Sequence, residues 1–156
     1  MAKIQLSTRV TLDITENGKV VDTFKISFRE PSKRQQREIG KENEEILDLF
    51  KKSQSLDRRL EVTEAKVSAL KELENAKELL TTAKSLDKLY IDRDNIEDRF
   101  IDLGGFEKML EASRLTFGHA VSGEDKDRLR DFIEDQSDYS IIMGAIAEDA
   151  KEQRGK

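Results

Sequence analysis

Ile4, Leu6, Val10, Leu12 and Ile14 fall on even positions, and polar residues fall between them. That period of two predicts a β-strand with one buried face. The alternation resumes after "TENGK" with Val20, Phe24, Ile26 and Phe28. Asn17-Gly18 lies between the runs and is the pair a type I′ hairpin turn requires, because both central residues take positive φ. Two strands are only marginally stable in water, so the apolar face must be covered by a helix or by another chain. "DITENG" also places Asp13, Thr15 and Asn17 at calcium-loop offsets, but Phe24 stands where the bidentate glutamate belongs, and the hairpin is preferred.

The pattern changes at Pro31, the single proline. It has no N–H for a strand ladder and ends the second strand. Ser32 is placed to cap a following helix, with Gln35 three residues on completing a capping box. Arg29, Lys33, Arg34 and Arg37 cluster at this elbow. Cations in a first helical turn oppose the helix dipole, so they are either an ordinary solvated face or a surface for an acidic partner.

No glycine or proline occurs from Lys41 to Leu103, which predicts long helices. Ile46, Leu49 and Phe50 begin an apolar stripe. Leu56, Leu60, Thr63, Val67 and Leu70 follow at spacings of four, three, four and three, the rhythm of a coiled coil. The stripe is continued through Leu73, Ala76, Leu80 and Ala83, with breaks expected in "KKSQSLD" and "TTAKSLDK". A helical hairpin within the chain and a bundle between chains both satisfy this pattern. Asp94 is the expected N-cap of a helix with Glu97 at its third position, and Gly104-Gly105 a joint. Phe106, Met109, Leu110, Ser113 and Phe117 then line one helix face, and a second joint follows at "GHAVSGED". Ser122 is the expected cap of a helix bearing Leu129, Phe132 and Ile133. A last helix begins near Ser137, with Tyr139, Ile142, Met143 and Ile146 on one face. The fold class is therefore α+β, mostly α: an N-terminal β-hairpin (1–31), a long coiled-coil-like segment (32–103) and a C-terminal cluster of short helices (104–156).

Composition narrows the function. Charged residues make up 39% of the 156 and apolar residues 36%, which suits charge-laced helices over a thick core. Without cysteine, thiolate catalysis, disulfides and cysteine-held metals are excluded. No stretch has the apolar length of a secretion signal or a membrane span, so a cytoplasmic protein with no membrane partner is expected. Residues 1–40 hold eight Lys/Arg against five Asp/Glu, while the rest of the chain is acidic and the whole carries −5. That makes nucleic acid an unfavoured partner. His119 is the one histidine and has no triad or HExxH context. No phosphate loop or dinucleotide motif is present. No catalytic residue, cofactor or metal is assigned, and an enzyme is not expected.

"FKISFREPS" followed by a helix, together with the closing segment from "LTFGHAVSGEDKD" to the end, resembles phage tail assembly chaperones, in which a similar elbow recurs; Phe28-Arg29-Glu30-Pro31-Ser32 carries the likeness. It covers roughly 1–40 and 104–156; the middle helices match nothing in it. The resemblance implies a non-enzymatic protein of the bacterial host cytoplasm. Such a protein binds the tape-measure protein and tail-tube subunits, with the hairpin face packed on the 32–50 helix. In that role Arg29, Lys33, Arg34 and Arg37 would meet an acidic partner. The stripes Leu56/Leu60/Val67/Leu70 and Tyr139/Ile142/Met143/Ile146 would each accept a partner helix, against the alternative that they are buried in the monomer. A homo-oligomer, a structural tail or scaffold subunit and a nucleic-acid-binding regulator remain as other readings.

Overall fold

A computed structural model describes residues 2–155. Nine elements follow in order: β1 (Thr8–Glu16), β2 (Lys19–Phe28), α1 (Lys33–Glu42), α2 (Glu44–Glu72), α3 (Ala76–Asp102), α4 (Gly105–Ala120), β3 (Val121–Ser122), α5 (Lys126–Gln136) and α6 (Tyr139–Arg154). The class is α+β and mostly helical. The chain divides into two compact units, residues 2–42 with 110–155, and residues 43–109. This grouping differs from the three consecutive segments read from sequence, because the first and last of those share one core.

In the first unit β1 and β2 form the expected antiparallel hairpin. Asn17 has φ +52° and Gly18 φ +77°, the paired positive values of a type I′ turn. The register slips between Ile14 and Thr15, so that Ile14 faces Asp22 and Thr15 faces Val20. This bulge moves Val20 off the apolar face; it is exposed, contrary to the simple alternation. Ile4 and Leu6 lie ahead of β1 and are exposed too, since β2 ends at Phe28, opposite Thr8, and offers them no partner. β3 extends the sheet in the order β1-β2-β3, pairing Ser122 with Ser27 and Val121 with Phe28.

The face formed by Val10, Phe24, Ile26 and Phe28 packs against α5 and α6, where Leu129, Ile133, Ile142 and Ile146 are buried with Phe117 of α4. The hairpin does not pack on α1, which buries no residue. Its sequence, KRQQREIGKE, has one large apolar side chain and no stripe to offer. The elbow itself forms as expected. The Ser32 hydroxyl accepts from the Gln35 backbone N–H at 3.1 Å, and the Gln35 side-chain Oε1 accepts from the Ser32 N–H at 2.9 Å. Ser122 lies in β3 and caps no helix; Asp125 precedes α5, and Asp138 caps α6 by accepting from the Ser140 N–H.

In the second unit α2 and α3 pack on each other as a helical hairpin within the chain. Neither expected break exists: α2 runs through 51–57 and α3 through 81–88, and Asp94 lies inside α3. The reversal falls at Leu73-Glu74-Asn75. There Glu74 takes φ +53°, the Asn75 N–H donates to Leu70 O and the Glu74 N–H to Lys71 O, which is a Schellman ending without its usual glycine. Asn75 then caps α3 by accepting from the Glu78 N–H.

Candidate docking surface

The seam of the second unit follows a heptad without interruption. On α2 it runs Ile46, Leu49, Ser53, Leu56, Leu60, Thr63, Val67, Leu70. On α3 it runs Leu79, Thr82, Leu86, Leu89, Arg93, Ile96, Phe100, one residue out of step with the Ala76/Leu80/Ala83 continuation, and Leu73 and Leu80 are exposed. Leu56, Leu60 and Leu70 are buried and Val67 half-buried in this seam. Tyr139, Ile142 and Ile146 are buried and Met143 half-buried in the core of the first unit. Neither stripe is therefore free for a partner helix; each is used within its own unit. Arg29, Lys33, Arg34 and Arg37 are exposed. Arg34 pairs with Glu38 one turn on, at 3.3 Å, and the Arg29 N–H donates to Ala120 O.

Exposed apolar side chains gather beside the seam at the open end of the α2/α3 hairpin, while Val62, Leu73, Leu80 and Ile91 are exposed elsewhere along it. If Ile46 and Ser53 are heptad a positions, Phe50 falls at e, beside the seam and not in it. Phe50, Ile101 and Phe106 are 46%, 61% and 72% exposed. With Leu49, Phe100 and Met109 they line a groove of about 460 Å³, in which Ser53 and Glu97 are the polar members. Phe106 meets Phe100 edge-on at 4.9 Å between ring centres. Gly105 makes this possible, because a Cβ there would lie 2.5 Å from the Phe100 ring. The sequence pattern puts Leu49 and Phe50 on one stripe and Phe106 and Met109 on another, and assigns Phe100 and Ile101 to neither. The signal that joins them was legible: admitting Ser53 to the heptad sets Phe50 aside.

The opposite side of the hairpin carries a shallow polar cleft of about 810 Å³, with Ser55, Arg58, Arg59, Lys88 and Asp92 on its walls. Between the two sides, Arg93 occupies a seam position, its guanidinium 5.0 Å from the Tyr90 ring centre and its Nε buried with no hydrogen-bond partner among the described residues. The Tyr90 hydroxyl donates to Glu64. Among the described residues no group of three His, Asp or Glu side chains could hold a metal ion, and no helix is long and apolar enough to cross a membrane.

In the first unit, charged side chains act as struts. Arg128 donates to Asp22 Oδ1 and to Thr23 O, both at 2.6 Å, while Asp125 accepts from the Lys25 N–H at 2.7 Å. Helix α5 thus satisfies strand-edge groups of β2 where β3 no longer pairs. His119 has a plain role: the Gln35 amide, whose oxygen is held by Ser32, turns its nitrogen to donate to His119 Nδ1 at 3.1 Å. This ties the start of α1 to the end of α4.

Arg114 binds Glu134 through two nitrogens, at 2.7 and 3.0 Å, and the Tyr139 hydroxyl donates to the same carboxylate at 2.6 Å. The Arg114 guanidinium, then the Tyr139 hydroxyl, hold the Glu134 carboxyl down at about 2, against an ordinary 4.5. Burial and then Glu134 push the Tyr139 hydroxyl up to about 12. A depressed carboxyl contributes stability above its unfolded pKa, and that contribution is lost as pH falls through the folded value. Wild type should therefore exceed Glu134→Gln in stability at neutral pH. The gap should close between pH 4.5 and about 2. Urea unfolding of both proteins across that window checks it; a constant gap refutes the linkage.

No family model matches the chain, and neither curated proteins nor solved structures give a match.

Proposed function

We propose that this chain is a non-enzymatic assembly chaperone of the phage-tail type. In this reading it works in the host cytoplasm and holds a tape-measure or tail-tube polypeptide by docking. The observation that carries this reading is the apolar groove at the open end of the helical hairpin, where two phenylalanines and an isoleucine stay exposed although both seams are filled. Clustered apolar exposure of this kind marks an interaction site more often than scattered single residues do. The resemblance of the Phe28–Ser32 elbow to tail assembly chaperones supplies the class of partner. The exposed Arg29, Lys33, Arg34 and Arg37 form a second contact, suited to an acidic segment.

Co-expression with the tape-measure and tail-tube reading frames of the same phage, followed by size-exclusion chromatography with light scattering, tests the proposal. A complex is expected with the wild-type chain. Phe106→Ser should weaken it at least about tenfold, a loss of ~1.4 kcal/mol, with the helical circular dichroism unchanged. The chaperone should also be missing from finished particles by mass spectrometry. A chain that elutes alone beside both partners overturns the reading, and one retained in the particle replaces it with a structural subunit.

A further inference from the structure

We propose that the acidic side of the α2/α3 hairpin, together with the apolar groove at its open end, receives a basic amphipathic helix from a partner polypeptide. This rests on the docking reading above and specifies the partner's chemistry.

The heptad register assigns the sides. In an antiparallel helix pair the e positions of both helices flank one side of the seam and the g positions the other. The contacts agree: Glu64 and Tyr90, both e, meet on one side, and Glu45 and Arg99, both g, pair at 2.8 Å on the other. The e side, with its neighbouring b positions, carries Asp57, Glu61 and Glu64 on α2 and Asp87, Asp94 and Glu97 on α3, all exposed. No lysine or arginine shares those positions until Lys71, at the closed end of the hairpin. Among the described residues none of the six carboxylates pairs with a base. The g side, with its c positions, is mixed: Lys52, Arg59, Lys66, Lys88 and Arg99 stand among Glu45, Asp48, Glu78, Asp92 and Asp102. One side is therefore neutral and partly self-paired; the other is a strip of carboxylates, with the Arg93 guanidinium beside it over the Tyr90 ring, that ends in an apolar groove.

Like charges lined up along a helix pair cost stability unless something neutralises them. A third helix laid along the strip would do so. From Phe50 to Glu64 is about 21 Å at 1.5 Å per residue, so some four turns are enough. Its apolar side chains, at spacings of three and four, would enter the groove among Phe50, Ile101 and Phe106, and its Lys or Arg residues would face the carboxylates. A second copy of this chain does not fit. Its basic helix, α1, has one large apolar residue, Ile39, and two strips brought face to face would oppose six carboxylates to six. Nucleic acid is repelled by the same charges.

The test uses two synthetic 18-residue helical peptides with the same leucine stripe, one flanked by lysine and one by glutamate, titrated against the full chain by fluorescence anisotropy. The lysine peptide should bind about tenfold or more tighter, by an amount that shrinks as salt rises. The combined variant Asp57→Asn, Glu61→Gln, Asp94→Asn should lose about tenfold in affinity for it. The control Asp48→Asn, Asp92→Asn, Asp102→Asn, on the other side, should change it less than about twofold. Equal binding of the two peptides, equal losses in the two variants, or no binding of either peptide overturns the inference. Equal binding that Phe106→Ser abolishes would overturn the charge requirement while leaving the docking reading intact. A chain that is dimeric through the acidic side in light scattering also overturns it.

Discussion

Phe24→Ala should be among the most damaging single changes in the first unit, lowering its stability by about 3–5 kcal/mol. Phe24 is fully buried on β2. Its ring lies 5.6 Å from that of Phe132 on one helix of the cover, and the Arg128 guanidinium sits 4.1 Å from its centre. Truncation removes one of the two buried phenylalanines of the sheet, leaves a cavity, and takes the aromatic face from a cation that also anchors Asp22 and Thr23. Single domains are stable by only about 5–15 kcal/mol, so this is a large share of the whole. Guanidinium unfolding gives the size, and hydrogen exchange gives the place. Protection should fall in β1, β2, α5 and α6 and persist along α2 and α3, whose seam Phe24 does not enter. A loss under about 1 kcal/mol would mean that the sheet does not depend on this ring.

That result bears on what the sequence could reveal. Local chemistry was legible. Asn17-Gly18 named its turn, and Ser32 with Gln35 named its cap, because each rests on residues within three positions of one another. The coiled-coil rhythm was legible for the same reason. Its reversal was not, since Leu73-Glu74-Asn75 lacks glycine and proline and depends on one glutamate held at positive φ. The stretch "KKSQSLD" looked like a helix break, yet α2 runs through it and its Ser53 is a seam residue between Leu49 and Leu56. Long-range pairing was hidden altogether. Nothing near Phe24 or Ile26 says that α6, more than a hundred residues on, covers them while the adjacent α1 does not. β3 is two residues long and gives no period to read.

The same reasoning explains why the candidate site was only half visible. A stripe such as Leu56/Leu60/Val67/Leu70 shows that a helix needs a companion, and α3 meets that need inside the chain. Among the side chains that remain outside, those of the groove lie beside the seam: Phe50 at e, and Ile101 and Phe106 where the chain leaves α3 for α4. The sequence contained that register. It did not contain the antiparallel alignment that gathers acids from two helices on one side.

Leu60→Ala should lower the stability of the hairpin by about 2–3 kcal/mol, toward the lower end for a buried leucine. The cluster around it has three buried members, Leu56, Leu60 and Leu89, with Leu86, Tyr90 and Ile96 partly buried against them. A two-helix seam is narrow, so neighbours and water reach a vacated site more easily than in a thick core, which moderates the cost per residue. The consequence is still large, because the α2/α3 seam carries the buried leucine cluster of this unit. Val62→Ala, at an exposed position one half-turn away, should stay within about 0.5 kcal/mol. Thermal melts followed at the helical circular dichroism band separate the two. The docking activity then discriminates further. Leu60→Ala should reduce partner binding in proportion to the unfolded fraction and recover it where the hairpin refolds on mild cooling, whereas Phe106→Ser should reduce binding with the melt unchanged. If Leu60→Ala bound normally under conditions where the hairpin had melted, the partner would be reading an extended segment and not a helical surface.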